Sequence, residues 1–559
     1  MRNWEKRGNC NSVEEYLLAT TGETKTALHD PAAGDPRKVA GMREAAKMVT
    51  EAIGAGTPIT IVGDYDSDGM NATAILVRLF RYFGVEPKTI IPRRFSDGYG
   101  LSQGLVDMIP KGLVITIDNG ITAVYEIAQL REKGCSVIVM DHHLPGPELP
   151  PADVLVDPKV CPEKNEFDGY CGAGLGYLLA MLLLEGDHTR KAEALRRNIT
   201  VHAAIATVTD VMPLLGPNRR LVMDGLSILN GDMRGISPGL AALRNSCKSE
   251  HFDESSLGFN LGPMLNATAR LYDRGGTSVL KALACDDPIE AKVYADKMVQ
   301  INEKRKRLTA LHLESVKRII QAEKEGLAAP LIVVGDQIPE GLIGILAGNL
   351  LAEYGIATFV LTEQKENPDI LKGSARANTK AGEDITPLLD AIRPLCISCG
   401  GHSGAAGISL YKKDLPKVKQ AMREAMAGTS TSVANTLEYD LEITDQDIPR
   451  VYQEVSAFAP YGEGCPAPVF LIKGYQTEER FGSHYRCIGQ AGDSVRINGR
   501  QRDVFGYQMA KQYSELGCPR RLDILGTIAS NTYQGRTTIQ IRPLDFRPAV
   551  VEGGTGYAA

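Results

Sequence analysis

Asp64, Asp66 and Asp68 occupy alternate positions in Gly63-Asp64-Tyr65-Asp66-Ser67-Asp68-Gly69. Three crowded carboxylates raise one another's proton affinity unless a cation neutralises them, and hard oxygens suit a hard divalent ion. Three further stretches offer the same chemistry: Asp118-Asn119-Gly120, Asp141-His142-His143, and Asp210 after Thr209. Brought together, Asp64, Asp66, Asp68, Asp118, His142 and Asp210 supply more oxygen ligands than one structural ion needs and few imidazoles, a set suited to Mn²⁺ or Mg²⁺. With Asp118 bridging, two ions about 3.5–4 Å apart would activate a water and hold the leaving oxygen of a phosphoester in line. His143 is then placed to meet a nonbridging oxygen or to protonate the leaving group, the alternative being packing beside the ligands. Asp141 reads as the group that orients His142, or as a loop anchor.

These residues need elements that deliver them to one place. Ile59-Thr60-Ile61-Val62 is an apolar run of strand length, and a helical pattern begins at Asn71. Leu113–Ile117, Ser136–Met140 and Ala203–Thr209 repeat the strand pattern ahead of Asp118, Asp141 and Asp210. A lone aspartate after a strand is commonly a turn former or helix N-cap. Four in one region point instead to the carboxyl ends of parallel strands, where open α/β sheets bind ligands. A structural Ca²⁺ loop is the rival reading of Asp64, Asp66 and Asp68, but the twelfth position is Ile75 rather than Glu.

The chain has 559 residues, 43% hydrophobic and 23% charged, with 62 basic and 68 acidic residues and a formal charge of −6. No overall basic field coats the surface, so any nucleic-acid contact must be a local groove. Met1–Arg7 lacks an apolar signal core and no run of about 20 apolar residues occurs, which predicts a cytoplasmic protein without a membrane segment. Eleven scattered cysteines fit reduced thiols, and Cys396-Ile397-Ser398-Cys399 lacks the further ligands a zinc site needs.

Along the chain, residues 1–38 read as an irregular lead-in. Residues 39–215 alternate strands and helices and 216–325 are mostly helical, ending in one long helix whose basic run Asn302–Arg307 reads either as a solvated face or as a phosphate-tracking surface. A second α/β unit spans 326–428, and an Ala/Gly/Ser/Thr-rich spacer precedes a small β-barrel over 437–548, with a disordered tail at 549–559. The loop Arg93-Arg94-Phe95-Ser96-Asp97-Gly98-Tyr99 mixes arginines, glycine and a tyrosine, which reads either as a loop that holds phosphate and stacks a base or as a solvated turn. Gly373-Ser374-Ala375-Arg376 and Gly400-Gly401-His402 pair glycines with charged donors, a pattern either of close approach to phosphate or of tight packing alone.

These motifs resemble the DHH phosphoesterases and, among them, the RecJ single-strand-specific exonucleases. Asp64–Gly69, Asp118-Asn119-Gly120, Asp141-His142-His143 and Thr209–Leu214 are similar to the four motifs of the catalytic domain. Gly400-Gly401-His402 with Ala405-Ala406-Gly407 is similar to the DHH-associated domain signature, and Pro460–Phe470 to the segment entering a RecJ OB-fold. The resemblance implies an α/β fold made of a parallel-sheet DHH domain, a linking helix, a smaller α/β DHH-associated domain and a C-terminal OB-type β-barrel. It implies 5′-to-3′ digestion of single-stranded DNA to mononucleotides by two Mn²⁺ or Mg²⁺ ions, in DNA repair and recombination. Asp66, Asp68, Asp118, His142 and Asp210 match metal ligands with Asp64 close by, while Arg94, Asn266, Arg270, Ser374, Arg376 and His402 match phosphate or DNA contacts, alongside Tyr99. A monomer is expected, fed by a helicase and a single-strand-binding protein. The rivals are a DHH phosphodiesterase of short oligonucleotides or cyclic dinucleotides and a non-catalytic single-strand binder. Val62, Met264, Ala269 and Cys465 depart from the family pattern.

Overall fold

A computed structural model describes residues 2–247, 249–322, 329–379, 382–426, 436–489, 492–500, 502–533 and 535–549. The chain opens with β1 (Asn3–Lys6), α1 (Val13–Thr21) and α2 (Lys25–His29). An α/β layer follows: α3 (Met42–Gly54), β2 (Ile59–Val62), α4 (Ser67–Tyr82), β3 (Lys88–Ile90), α5 (Gln103–Met108), β4 (Leu113–Ile117), α6 (Val124–Glu132), β5 (Ser136–Met140), β6 (Val154–Val156), α7 (Gly172–Leu183) and α8 (Arg190–Thr209). Next come α9 (Gly216–Asn230), α10 (Pro238–Ser246), α11 (Glu254–Ser256), α12 (Gly262–Leu271), α13 (Gly275–Leu283) and α14 (Pro288–Ala322). The second α/β unit holds β7 (Leu331–Gly335), α15 (Ile343–Tyr354), β8 (Thr358–Glu363), β9 (Ile370–Arg376), α16 (Thr386–Ile392), β10 (Ser398–His402), β11 (Ala405–Tyr411) and α17 (Leu415–Met426). The last unit holds β12 (Thr436–Tyr439), β13 (Leu441–Thr444), α18 (Ile448–Ala457), β14 (Phe470–Gln476), β15 (Tyr485–Ile488), β16 (Ser494–Ile497), β17 (Arg502–Gly506), α19 (Ala510–Glu515), β18 (Arg521–Tyr533) and β19 (Arg536–Pro548).

The first sheet is fully parallel, in the order β3-β2-β4-β5-β6. Its strands are buried on both faces because side chains alternate: Ile59, Ile61, Ile115 and Ile138 pack under α3, α4, α7 and α8, while Val62, Val114, Val137 and Val139 pack under α5 and α6. From β2 the chain steps one way to β3 and then crosses back to β4. That reversal opens a crevice at the carboxyl ends of β2 and β4, the switch point at which such sheets take ligands.

The second sheet, β10-β11-β9-β8-β7, is parallel only between β7 and β8. The third runs β13-β14-β18-β19-β17-β16-β15. Between the first two units lies α14, 35 residues long, about 52 Å at the helical rise. No helix among the described residues is long and apolar enough to cross a membrane.

Three expectations change. Ala203–Thr209 is not a strand but the end of α8, and Asp210 is its C-cap. Ile199–Ala206 is buried almost all round, so it lacks the polar face that marks a helix, and a short apolar run then reads as a strand. Residues 1–38 are not irregular: β1 pairs in parallel with β12, and Val13, Leu17 and Leu28 join the core of the last unit. The helix after β2 begins at Ser67 rather than Asn71, because the Asp66 side chain accepts from Gly69 N at 3.1 Å and caps it. The spacer at 427–435, Gln534 of the Gln534-Gly535 turn and tail residues 550–559 lie outside the described residues.

One buried cation ties α9 to α2 and to the last unit. Arg219, 1% exposed, donates from Nε to Leu28 O at 2.6 Å, from Nη1 to Pro460 O at 2.7 Å and from Nη2 to Phe458 O at 2.6 Å, with Cys465 Sγ 3.5 Å from Nη1. Cys465, a departure from the family pattern, thus fills a buried niche beside this guanidinium. Arg219→Met orphans three carbonyls, and a loss of about 3–5 kcal/mol in chemical denaturation is expected. A loss below about 1 kcal/mol would show the junction to be held otherwise.

Candidate metal centre

Four backbone devices bring the acidic side chains to the switch point. Asp64 leaves the end of β2, and a Cβ at Gly69 would lie 2.6 Å from Asp64 N, so only glycine lets the first turn of α4 fold back over it. Asp68 is fixed by α7, whose amides Gly172 N and Ala173 N donate to its two carboxylate oxygens at 2.7 and 2.8 Å. Asp118 follows β4 in the left-handed region, φ 62°. Asp210 caps α8, which Thr209 Oγ1 ties to Ser67 Oγ at 2.9 Å. Beneath them, His202 Nδ1 meets Asn71 Oδ1 at 2.8 Å and Asn71 Nδ2 donates to Ser67 O at 2.7 Å, an interior network locking α4 against α8.

The side chains converge. His142 Nε2 lies 3.0 Å from Asp118 Oδ1 and 3.6 Å from both Asp68 Oδ2 and Asp210 Oδ2. Ligand atoms of Asp64, Asp66 and Asp118 fall within 4.8 Å of one another, as do those of Asp68, His142 and Asp210, and those of Asp118, His142 and His143. Asp118 joins the Asp64/Asp66 group to His142, and His142 joins it to Asp68 and Asp210.

Burial, then mutual repulsion, lifts the proton affinity of Asp64, Asp66 and Asp118 above the usual carboxylate range, and Asp210 is pushed up to about 8. Burial holds His142 below its ordinary value, so its ring is neutral and available as a ligand. Asp64 Oδ1 and His142 Nδ1 are buried without a hydrogen-bond partner. Hard oxygens, a neutral imidazole and an orphaned carboxylate oxygen fit Mn²⁺ or Mg²⁺.

Asp141 orients a different ring from the one expected. Its Oδ1 meets His143 Nδ1 at 2.8 Å and its Oδ2 accepts from Ile121 N at 2.9 Å, whereas to His142 it reaches only the backbone N, at 2.8 Å. Ring orientation is a three-dimensional fact that adjacency in sequence does not carry. Burial opposes charge on His143, but the bond to Asp141 and the nearby carboxylates outweigh it and raise the ring to about 9. Tyr99, 49% exposed, donates to Asp118 O at 3.1 Å and stands 3.2 Å from His143 Nδ1.

Alongside the carboxylates lies a basic cleft. Arg94 stacks over the Tyr65 ring at 4.7 Å. Burial and the neighbouring Arg94, Arg305 and Arg376 lower the Arg270 guanidinium to about 10, and burial also depresses Arg305 and Arg376. Among the described residues none of these four arginines is ion-paired with a carboxylate. Arg270 Nη1 instead donates to Gly341 O at 3.2 Å, joining α12 to the second unit, and Arg376 Nη1 donates to Ser374 Oγ at 3.1 Å. Asn266, one helical turn before Arg270, has a buried Oδ1 without a partner. His402 stands apart, exposed, on the register row His402–Ala405–Arg376, two strands from Arg376.

Sequence reasoning missed two contributors. Arg305 was hidden in a basic run, since only the packing of α14 against α12 shows which of those cations faces the cleft. Lys159, whose Nζ donates to His142 O and so holds the ligand loop, carried no sequence signal. Of the departures, Val62 and Met264 are buried within apolar clusters, and Ala269 is buried as well.

Comparison with known proteins places these units in a lineage. The chain matches the DHH family N-terminal domain over 58–207, the DHHA1 domain over 327–428 and the RecJ OB domain over 439–545. It is 29% identical over 538 residues to the single-stranded-DNA-specific exonuclease RecJ of Thermus thermophilus, covering 95% of this chain and 74% of that one. To the RecJ of Salmonella typhimurium it is 33% identical over 465 residues, covering 78% of each. The structure of Thermus thermophilus RecJ in complex with Mn²⁺ superposes with a TM-score of 0.78 at 26% identity, over 99% of this chain and 81% of that one.

Proposed function

The chain belongs to the RecJ family of single-stranded-DNA-specific exonucleases, and from that premise we propose that the carboxylate cluster and the arginine cleft together hold and cut the end of a DNA strand. It is a metal-dependent exodeoxyribonuclease that uses Mn²⁺ or Mg²⁺. The observation that carries the residue assignments is the juxtaposition of a cation-demanding cluster with four arginines that have no carboxylate partner among the described residues, a pairing that a phosphodiester satisfies on both sides.

Asp64, Asp66, Asp68, Asp118, His142 and Asp210 would hold two divalent ions, with Asp118 shared. Bound there, the ions neutralise phosphoryl charge and activate a water for attack at phosphorus. The chain's own groups do the rest. Arg94, Arg270, Arg305 and Arg376, with Ser374 and Asn266, grip phosphates and fix the register of the strand. His143, oriented by Asp141 and charged at neutral pH, donates a proton to the leaving oxygen or a hydrogen bond to a nonbridging one. Tyr99 sits beside His143, where its ring can stack on the terminal base. His402 meets a phosphate further along, and the OB domain carries the trailing strand. A free 5′ end seated in the arginine cleft gives 5′-to-3′ digestion to mononucleotides. A monomer working in the cytoplasm, fed by a helicase and a single-strand-binding protein, completes the proposal.

Incubating 5′-labelled and 3′-labelled single strands with Mn²⁺ tests this reading: the 5′ label should appear first, as mononucleotide, with duplex spared. Early release of the 3′ label refutes the polarity. Arg305→Ala should weaken binding of a 5′-phosphorylated oligothymidylate about tenfold, roughly 1.4 kcal/mol, and lower the salt slope of binding by about 1. Unchanged affinity and slope would remove Arg305 from the cleft.

A further inference from the structure

Arg94 and Tyr99 are both carried by the segment from Ile91 to Gly100, which has no helix or strand of its own to hold it in place. We propose that Asp273 is the positioning residue for this loop: it fixes Arg94 at a set distance from the metal centre, and so sets where along the strand the cut falls. The inference rests on the reading of Arg94 as a phosphate contact.

Asp273 follows the end of α12, three residues beyond Arg270. Its Oδ1 accepts from Phe95 N at 2.9 Å and from Ser96 N at 3.1 Å, and its Oδ2 from Ser96 Oγ at 2.5 Å. Its backbone O accepts from Arg94 N at 3.3 Å. Three consecutive loop residues are thus bonded to one residue of another segment. Burial opposes charge on Asp273, but these bonds and the field of Arg93 outweigh it and hold the carboxyl below its ordinary range. The loop's own carboxylate is already taken. Asp97 accepts from Arg93 Nε at 3.0 Å and Arg93 Nη2 at 2.7 Å, which closes the turn on itself and leaves Arg94 as the arginine of the pair that is open to a ligand. Its guanidinium lies over the Tyr65 ring, and Tyr65 stands in sequence between Asp64 and Asp66. The first turn of α13 packs against Tyr65 so closely that a Cβ at Gly276 would come within 3.1 Å of the Tyr65 Cβ. At the other end of the loop, Tyr99 donates to Asp118 O. The loop therefore spans from α12 to the metal centre and is fastened at both ends, and Asp273 makes Arg94 one rigid set with Asn266 and Arg270. A shift of about 1 Å in such a set is enough to misplace the reacting phosphate.

The test is digestion of a 5′-labelled oligothymidylate by the full chain with Mn²⁺, with the released label resolved by length. Wild type should release it as mononucleotide. Asp273→Ala should release a visible share as di- and trinucleotide and raise KM about tenfold, with kcat within about threefold. The Mn²⁺ concentration for half-maximal rate should stay within about twofold, since no metal-site carboxylate is bonded to Asp273. Asp273→Asn, whose amide oxygen still accepts from both loop amides, should keep KM within about threefold of wild type and the product size unchanged. Ser96→Ala, which removes a single bond, guards against a misfolded Asp273→Ala and should raise KM by a smaller factor in the same direction. Arg94→Ala should raise KM at least as much as Asp273→Ala, and the double variant no further, because both changes act through one guanidinium. Wild-type KM and product length in Asp273→Ala, beside a raised KM in Arg94→Ala, overturns the inference alone. So does an additive double variant, or an equal loss in Asp273→Asn and Asp273→Ala with only mononucleotide released. Wild-type behaviour in Arg94→Ala removes the phosphate reading of Arg94 and this inference with it.

Discussion

Asp118→Ala lowers exonuclease turnover by at least about 10³-fold, roughly 4 kcal/mol of transition-state stabilisation, while single-strand affinity stays within about threefold. The split follows from where Asp118 sits. Its carboxylate is the link between the Asp64/Asp66 group and His142, so its loss dismantles both halves of the cation site. Among the described residues, the arginines proposed to grip phosphate make no hydrogen bond to it. The same change should stabilise the cation-free protein. In EDTA, Asp118 is buried and repelled by Asp68, Asp66, Asp64 and Asp210, so removing it relieves a strained cluster and the Tm in EDTA rises by a few degrees. Asp118→Asn, which keeps the volume, guards against a cavity artefact. Retained nuclease activity in either variant sinks the two-ion arrangement, whereas lost activity with lost DNA binding would point to a collapsed cleft.

How much of this was legible in sequence depended on the kind of signal each residue carries. The ends of β2, β4 and β5 could be read because an apolar run stops at glycine or aspartate, and the switch-point geometry of a parallel sheet then brings the tips together. Asp210 was singled out as a candidate ligand while its carrier was misread, since a helix buried all round shows no 3.6-residue polarity. The structure leaves the chemistry intact, because a helix C-cap delivers a carboxylate as well as a strand end does. Pairings that depend on side-chain direction stayed hidden. Asp141 serving His143, Lys159 holding the His142 carbonyl, and Arg305 joining the cleft across α14 all need coordinates. The N-terminal segment was obscured for a related reason. Its apolar residues Val13, Leu17 and Leu28 have partners some four hundred residues away, in the last unit, and local pattern says nothing about such contacts.

Removing the cations gives the second large effect, and its pH dependence has a definite sign. Chelation should abolish cleavage, added Mn²⁺ should restore it, and the gain in Tm on adding Mn²⁺ should grow as pH rises from about 5 to about 8. Asp210 titrates near 8 in the cation-free fold and near 3.9 when unfolded. Between those values the folded state holds more protons than the unfolded one, so the cation-free stability falls as pH rises. Asp64, Asp66 and Asp118 are raised for the same reasons and act in the same direction. His143, raised to about 9, contributes stability that is complete below about 6.5 and is lost towards 9. A divalent ion bound by these ligands displaces the protons, so its affinity strengthens as they leave. At an ion concentration of 100 times Kd it adds about 2.7 kcal/mol of stability, and Kd itself falls as pH rises. Asp118→Asn should flatten this trend, since it removes one of the raised groups and the shared ligand together. A Mn²⁺-induced Tm gain that is constant from pH 5 to 8, or equal in Asp118→Asn, would mean that the ion binds somewhere other than among these carboxylates.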